Sequence, residues 1–316
     1  MTQPKELPAG LWESLLPKAL TLVDEISKHG GVSNPFFTFG GGTVLMLRYG
    51  HRISKDIDFF VSDPQALGYV TPRLSDVADA LCDSQYTEAS NFVKLHLEAG
   101  EIDFVASPNL LPDAHAFETW ELFQRPVRVE TAAEIVAKKM YHRGNQGSAR
   151  DLFDLSMVVE REPAALEHAR PFMYRHLDVF ADALDAPPVA MKERFASIET
   201  LNYSPTFEQA ADVARTYFAE LRAARQRSAN EAEAFASDHS LTLRQIDTTR
   251  GEYCGPIIHL TEQHAVQGIA HNEAVIHDVE QLGRNAQPGD KLLRIRYQNG
   301  QAAVTSVQKP AWTKPL

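Results

Sequence analysis

The chain has 316 residues, with 31 Lys or Arg against 42 Asp or Glu, a formal net charge of −11, and 44% hydrophobic residues. That length suggests about two domains and permits a buried core, while the composition excludes disordered and fibrous classes. No apolar stretch approaches the roughly 18 residues of a membrane span, and an acidic chain (pI ≈ 5.5) is a poor nonspecific binder of nucleic acid.

From residue 1 to about 115, a helical pattern (Leu11, Leu15, Leu16, Leu20, Leu22, Val23, Ile26) precedes short β-like runs at Pro35–Phe39, Ile57–Val61, Asn91–Glu98 and Ile102–Ala106. A helical stretch around Ser75–Cys82 interrupts them. From about 116 to 237 helices dominate: Ala132–Arg143, Arg150–Val159, Pro163–Leu184, Val189–Ile198 and Phe207–Phe235. The last ends in a charged, Ala-rich segment, read as a solvated helix running into a linker at 238–248. Residues 249–316 turn β-like again, with runs at Gly255–Leu260, Lys291–Tyr297 and Ala302–Val307. Asn299-Gly300 sets a hairpin turn between the last two, and the tail, Gln308–Leu316, reads as loose.

Cys82 and Cys254 lie far apart in no metal or redox spacing, and the N-terminus has no apolar h-region, which predicts a reduced, cytoplasmic setting. The acidity is uneven. Residues 249–316 hold seven Lys/Arg and six Asp/Glu, so residues 1–248 carry −12.

Two segments carry chemistry. In the first, Gly40-Gly41-Gly42 follows an apolar run and opens a helix at Thr43, so free backbone N–H groups face outward at the positive end of a helix dipole, a ready phosphate site. The plainer reading is a turn that needs glycine only for its backbone. Lys55-Asp56-Ile57-Asp58-Phe59-Phe60 follows. On a strand Asp56 and Asp58 share one face while Ile57 and Phe59 enter the core. Paired carboxylates repel unless a dication or a base neutralises them, and Mg²⁺ with a nucleotide suits such a face. A solvated turn and strand would be the simpler account of either aspartate. Asp103, in Gly100-Glu101-Ile102-Asp103-Phe104, falls on the same side as the pair, and Glu101 shares its alternation.

In the second segment, Thr131 and Glu134 form a T-x-x-E helix start. Val136, Lys139, Met140 and Arg143 then share a helix face, placing Lys139 among packed residues with Lys138 pointing elsewhere. Snorkelling to solvent is the alternative for Lys139. Beyond the turn Gly144-Asn145-Gln146-Gly147, Ser148 and Asp151 can cap a new helix, with Asp154 one turn on. Capping alone would account for Asp151.

Taken together, Gly40-Gly41-Gly42-Thr43-Val44-Leu45, Arg48, Arg52-Ile53-Ser54-Lys55-Asp56-Ile57-Asp58-Phe59-Phe60 and the Lys139…Arg150-Asp151…Asp154-Leu155 helix pair resemble the AbiEii/AbiGii-type nucleotidyltransferase toxin family. The resemblance implies an α+β fold: a polymerase-β-like nucleotidyltransferase core (1–115), a helical bundle completing the site (116–237) and Mg²⁺-dependent transfer of a nucleotide from an NTP. By position, Gly41, Gly42 and Thr43 would hold the phosphates, aided by Arg48 and Lys55. Asp56, Asp58 and Asp103 would hold metal, Lys139 would contact the nucleotide, and Asp151 would place Lys139 or the acceptor. A tRNA end is the implied acceptor, with protein AMPylation or mere nucleotide binding as alternatives, and an antitoxin protein is the implied partner. RNA would approach along a strip of Arg48, Arg52, Lys55, Lys139 and Arg143. Residues 249–316, from Gly251-Glu252-Tyr253 through His277 to the Asn299-Gly300 hairpin, resemble the KfrB domain and read as a small β-rich interaction module. Its histidines (His259, His264, His271, His277) have no metal-like spacing, so packing or surface roles fit them better.

Overall fold

Strict alternation organises the first sheet. Ile57, Phe59 and Val61 on one strand, Ile102 and Phe104 on the next, and Val93 and Leu95 beyond them are fully buried on one face, leaving Asp58, Phe60, Asp103, Val105 and Lys94 on the other. In the computed structural model, which describes residues 3–31, 33–282, 287–289 and 291–307, the chain divides into two units, residues 1–217 and 218–316. The tail at 308–316 lies outside the described residues.

In the first unit, α1 (Trp12–Gly30) leads into β1 (Phe37–Gly40), α2 (Gly41–Tyr49) and β2 (Ile57–Val61). Next come α3 (Asp76–Cys82), β3 (Tyr86–Ala89), β4 (Phe92–Leu97), β5 (Gly100–Ala106), the short α4 (Asp113–Ala116), β6 (Phe117–Leu122) and β7 (Arg125–Glu130). The seven strands lie in the order β3-β4-β5-β2-β1-β7-β6. The β2/β5 and β1/β7 pairs are parallel, and β5/β4 and β1/β2 antiparallel. The apolar stripe of α1 (Leu15, Leu16, Ala19, Leu22, Val23, Ile26) is buried, packing on β2 and β5, while α3 packs on β4. One face of the sheet is thus sealed, and the other keeps its carboxylates.

Helices follow: α5 (Ala132–Arg143), α6 (Ala149–Arg161), α7 (Pro163–Ala169), α8 (Leu177–Asp185), α9 (Val189–Ala196) and α10 (Phe207–Asp238). Two expectations for this first unit need correcting. The helix expected over Pro163–Leu184 stops at Ala169, because Pro171 lacks an N–H and clashes with the preceding turn. The β6–β7 hairpin lies wholly where helices were expected to dominate; its turn residues, Phe123 and Gln124, hold φ of 50° and 59° without a glycine or asparagine to announce them.

The second unit starts within α10 and carries a six-stranded sheet in the order β13-β12-β9-β10-β11-β8. Its strands are β8 (Thr242–Leu243), β9 (Glu252–Leu260), β10 (His264–Ala270), β11 (Glu273–Asp278), β12 (Leu292–Gln298) and β13 (Gln301–Val307). Ile257, Ala265, Leu282, Leu293, Ile295 and Tyr297 form its core. The Ala-rich end of α10 is not a solvated helix: Ala232 is buried against Val266 and Ala274. Thr242–Leu243, within the stretch read as a linker, pairs with β11. His277 lies buried between Tyr297 and Gln267, at 2.8 Å and 3.0 Å, and His264 bonds Ser228 at 2.9 Å.

Candidate active site

The glycine turn is shaped by two carboxylates. Gly41 has φ +71°, and a Cβ there would stand 1.9 Å from Asp58 Oδ2. At Gly40 a Cβ would stand 2.1 Å from Glu130 Oε2. Only a bare backbone lets both acids lie against the turn. Thr43 is buried, and its hydroxyl donates to the Asp56 carbonyl at 2.5 Å. That bond clamps the first turn of α2 to the residue entering β2.

Asp58 and Asp103 stand opposite each other in register on parallel strands. Both line a cleft with Gly41, Gly42, Lys138, Lys139 and Arg143. Burial and the neighbouring Asp103 push the Asp58 carboxyl up to about 7. The Asp103 carboxyl is raised too, by burial, against the opposing pull of Lys94. Asp103 Oδ1 is buried with no hydrogen-bond partner. Asp56 sits just before β2, where its Oδ1 accepts the Glu101 N–H at 3.1 Å.

Among the described residues no three His, Cys, Asp or Glu side chains already converge as a ligand set. The pair and its orphaned oxygen still fit a hard dication, since Mg²⁺ takes one or two carboxylates and completes its shell with water and phosphate oxygens. Asp58 and Asp103 would hold it, with Asp56 beside them.

The opposite wall of the cleft is basic, and each cation is held by an acid. Lys138 Nζ lies 2.6 Å from Glu130 Oε1, 3.4 Å from Glu134 Oε1 and 4.1 Å from the centre of the Phe60 ring. Lys139 pairs with Asp154 and, at 3.1 Å, with Asp151. Arg143 donates to Asp151 at 2.6 Å. Burial alone would raise the Asp151 carboxyl, but Lys139 and Arg143 outweigh it and bring it down to about 2. Asp151 also closes a full capping box with Ser148 at the start of α6, so capping and ion pairing are one arrangement. Asp154 is fully buried and binds Arg52 through both oxygens at 2.7 Å and His51 at 2.8 Å. Arg52 and Lys139 hold it well below the usual carboxylate range despite its burial.

Several expected residues sit differently. Arg48 does not line the cleft: its guanidinium is buried, bonded to the Glu130 and Val129 carbonyls and to Glu118, and lies over Trp120. It ties α2 to β6 and β7. Lys55 is exposed and also does not line the cleft. With Arg48 and Arg52 buried in internal pairs, the five-residue basic strip does not exist as a surface. Lys138, expected to point away, is more buried than Lys139, with side-chain exposures of 5% and 10%, because α5 is covered both by the sheet and by α6. The T-x-x-E start is half made: Thr131 caps the Glu134 N–H, but the Glu134 carboxylate accepts from Leu110 and Leu111 instead. Asp103 rather than Glu101 faces Asp58 and lines the cleft. Glu130 and Lys94 are absent from the sequence reading, and Asp154 and Lys138 enter it without a role at the site. Asp154 had a signal in its Arg-Asp-x-x-Asp spacing, and Lys94 in its alternation with the buried Val93 and Leu95.

A glycine turn opening a helix, a carboxylate pair on neighbouring strands and a facing helix of paired cations define a nucleotidyltransferase. The model of the AbiEii nucleotidyl transferase toxin of type IV toxin–antitoxin systems matches residues 31–248, and the chain belongs to that family. A KfrB domain model matches residues 252–306. No curated protein matches the chain significantly. Among solved structures, JHP933 from Helicobacter pylori is similar at 18% identity and a TM-score of 0.39, over 69% of this chain and 97% of that one. The lincosamide adenylyltransferase LnuA, lincomycin-bound, gives 15% and 0.28 over 48% and 96%. The CD-NTase CdnG of Bradyrhizobium diazoefficiens, in complex with GTP, gives 10% and 0.28 over 72% and 91%.

Proposed function

We propose that this chain transfers a nucleoside monophosphate from an NTP to the end of an RNA, tRNA foremost, in an Mg²⁺-dependent reaction, and that it is the toxin of a pair with an antitoxin protein in the cytoplasm. The in-register Asp58–Asp103 pair, with the bare Gly41 backbone against one side and Lys139 and Arg143 across the cleft, is the observation that carries this reading.

The Gly41 and Gly42 amides receive the triphosphate at the N-terminal end of α2. Asp58 and Asp103, with Asp56 beside them, would hold Mg²⁺, which when bound would supply positive charge to the phosphates. The acceptor hydroxyl oxygen attacks the α-phosphorus, the bond to pyrophosphate breaks, and a carboxylate of the acidic wall takes the hydroxyl proton. Lys139 and Arg143, prealigned by Asp151 and Asp154, stabilise charge on the departing pyrophosphate without having to reorganise. Asp151 and Asp154 act through these cations and are positioning residues. Thr43 fixes the glycine turn against the strand that carries the acids.

Incubating the chain with each labelled NTP, Mg²⁺ and either total tRNA or a protein extract tests the reading, beside Asp58→Ala. Label on tRNA that disappears in the variant supports it. Label on protein moves the acceptor class to protein, and no label on either sinks the transferase reading.

A further inference from the structure

The carboxylate pair already has a cation at its back. Lys94 stands across from Asp103 in register on β4, with Nζ 2.7 Å from Asp103 Oδ2 and 2.5 Å from Glu101 Oε2. The buried Val93 and Leu95 on the other face of β4 fix its direction. Glu101, in turn, is held by His96 at 3.0 Å. One oxygen of Asp103 is therefore committed to Lys94, while Oδ1 remains buried and unpartnered. Lys94 does two things at once. It locks the Asp103 carboxylate so that a single oxygen is presented, and it keeps a full positive charge within one carboxylate's width of the place where a dication would bind.

We infer that Lys94 is a positioning residue acting as an internal counter-cation: it neutralises Asp103 of the Asp58–Asp103 pair while no nucleotide is bound, and so disfavours a divalent cation arriving alone. The cation then enters together with the NTP, whose phosphates reverse the local charge balance. This rests on reading Asp58 and Asp103 as the metal pair. A like charge this close, partly screened, lowers the affinity of a dication by about tenfold or more.

Nucleotide-free Mn²⁺ binding to the full chain, followed by electron paramagnetic resonance at pH 8, tests it. Lys94→Met is expected to tighten Mn²⁺ by about tenfold or more, while Lys94→Arg, which keeps the charge, stays near wild type. With a saturating non-hydrolysable NTP present, the gap between Lys94→Met and wild type should shrink. Lys94→Gln provides the same comparison should methionine impair folding. Unchanged or weaker Mn²⁺ binding in the neutral variants overturns the inference, even if nucleotide transfer by the wild type is intact. Tight Mn²⁺ binding that survives Asp58→Asn in the Lys94→Met background overturns the metal assignment as well, because the ion would then be held elsewhere.

Discussion

Arg52 grips Asp154 through two hydrogen bonds of 2.7 Å, both side chains buried, and so joins the segment leading into β2 to the middle of α6. The same carboxylate carries Lys139 and His51. One buried charge therefore sets the geometry between the acidic wall of the cleft and its basic wall.

Asp154→Ala should be among the most damaging single changes in the first unit. It leaves Arg52 and Lys139 buried near each other with their shared anion gone, and breaking a buried pair from one side costs about 3–5 kcal/mol. Urea denaturation of the full chain measures this. A loss within experimental error would show that the cluster relaxes into water without cost.

Asp58→Asn is expected to abolish transfer and yet stabilise the metal-free chain. The substitution removes one of two carboxylates held side by side, and a gain of about 1 kcal/mol raises Tm by roughly 2–4 °C. Adding Mn²⁺ together with a non-hydrolysable NTP should raise the Tm of wild type and leave that of the variant where it was. A variant that melts lower than wild type would refute the repulsion.

Gly41→Ala should cost activity more than stability. The new Cβ would overlap Asp58 Oδ2, and φ +71° disfavours alanine by about 1–2 kcal/mol. A one-ångström displacement of a reacting group costs on the order of a hundredfold in rate. Steady-state transfer assays beside thermal melts separate the two effects, and wild-type activity would mean that the turn adapts.

His277 predicts an acid-sensitive second unit. Burial lowers its imidazole from 6.5 to about 4, so the unfolded chain takes up the proton first as pH falls. Its contribution is constant above pH 6.5, is lost progressively between 6.5 and 4, and reaches about 3 kcal/mol. His277→Gln should flatten that part of the profile in urea unfolding between pH 7 and pH 4.5. Identical slopes for wild type and variant would exclude His277 as the cause.

Much of the acidic wall is legible in the sequence because alternation on a strand is local: Ile57 and Phe59 inward place Asp58 outward, and Ile102 and Phe104 do the same for Asp103. The Asn299-Gly300 hairpin is legible for a similar reason, with φ of 50° and 82° that these residues accept readily. Phe123 and Gln124 make a turn of the same sense without the residues that advertise one, so β6 and β7 do not stand out. The basic wall is harder to read because α5 is covered on two sides. A single helical stripe selects Lys139, while Lys138 finds Glu130 on a strand that the stripe does not register. Arg48 shows the limit of position within a motif: it follows the glycine turn closely, yet its partners, the Glu118 carboxylate and the Val129 and Glu130 carbonyls, lie 70 to 82 residues away.

The residues of the Arg52–Asp154 clasp are 102 positions apart, which sets an order of assembly. A ribosome that has delivered Asp103 has made the whole acidic wall, but neither α5 nor α6 yet exists to face it. At ~5–20 residues per second, Asp154 follows several seconds later, and a contact spanning so much chain closes slowly. Until then the basic wall lacks the carboxylate that anchors Arg52 and Lys139. Chains truncated before α6 would lack Asp154, and with it the carboxylate that receives Arg52 through both of its nitrogens.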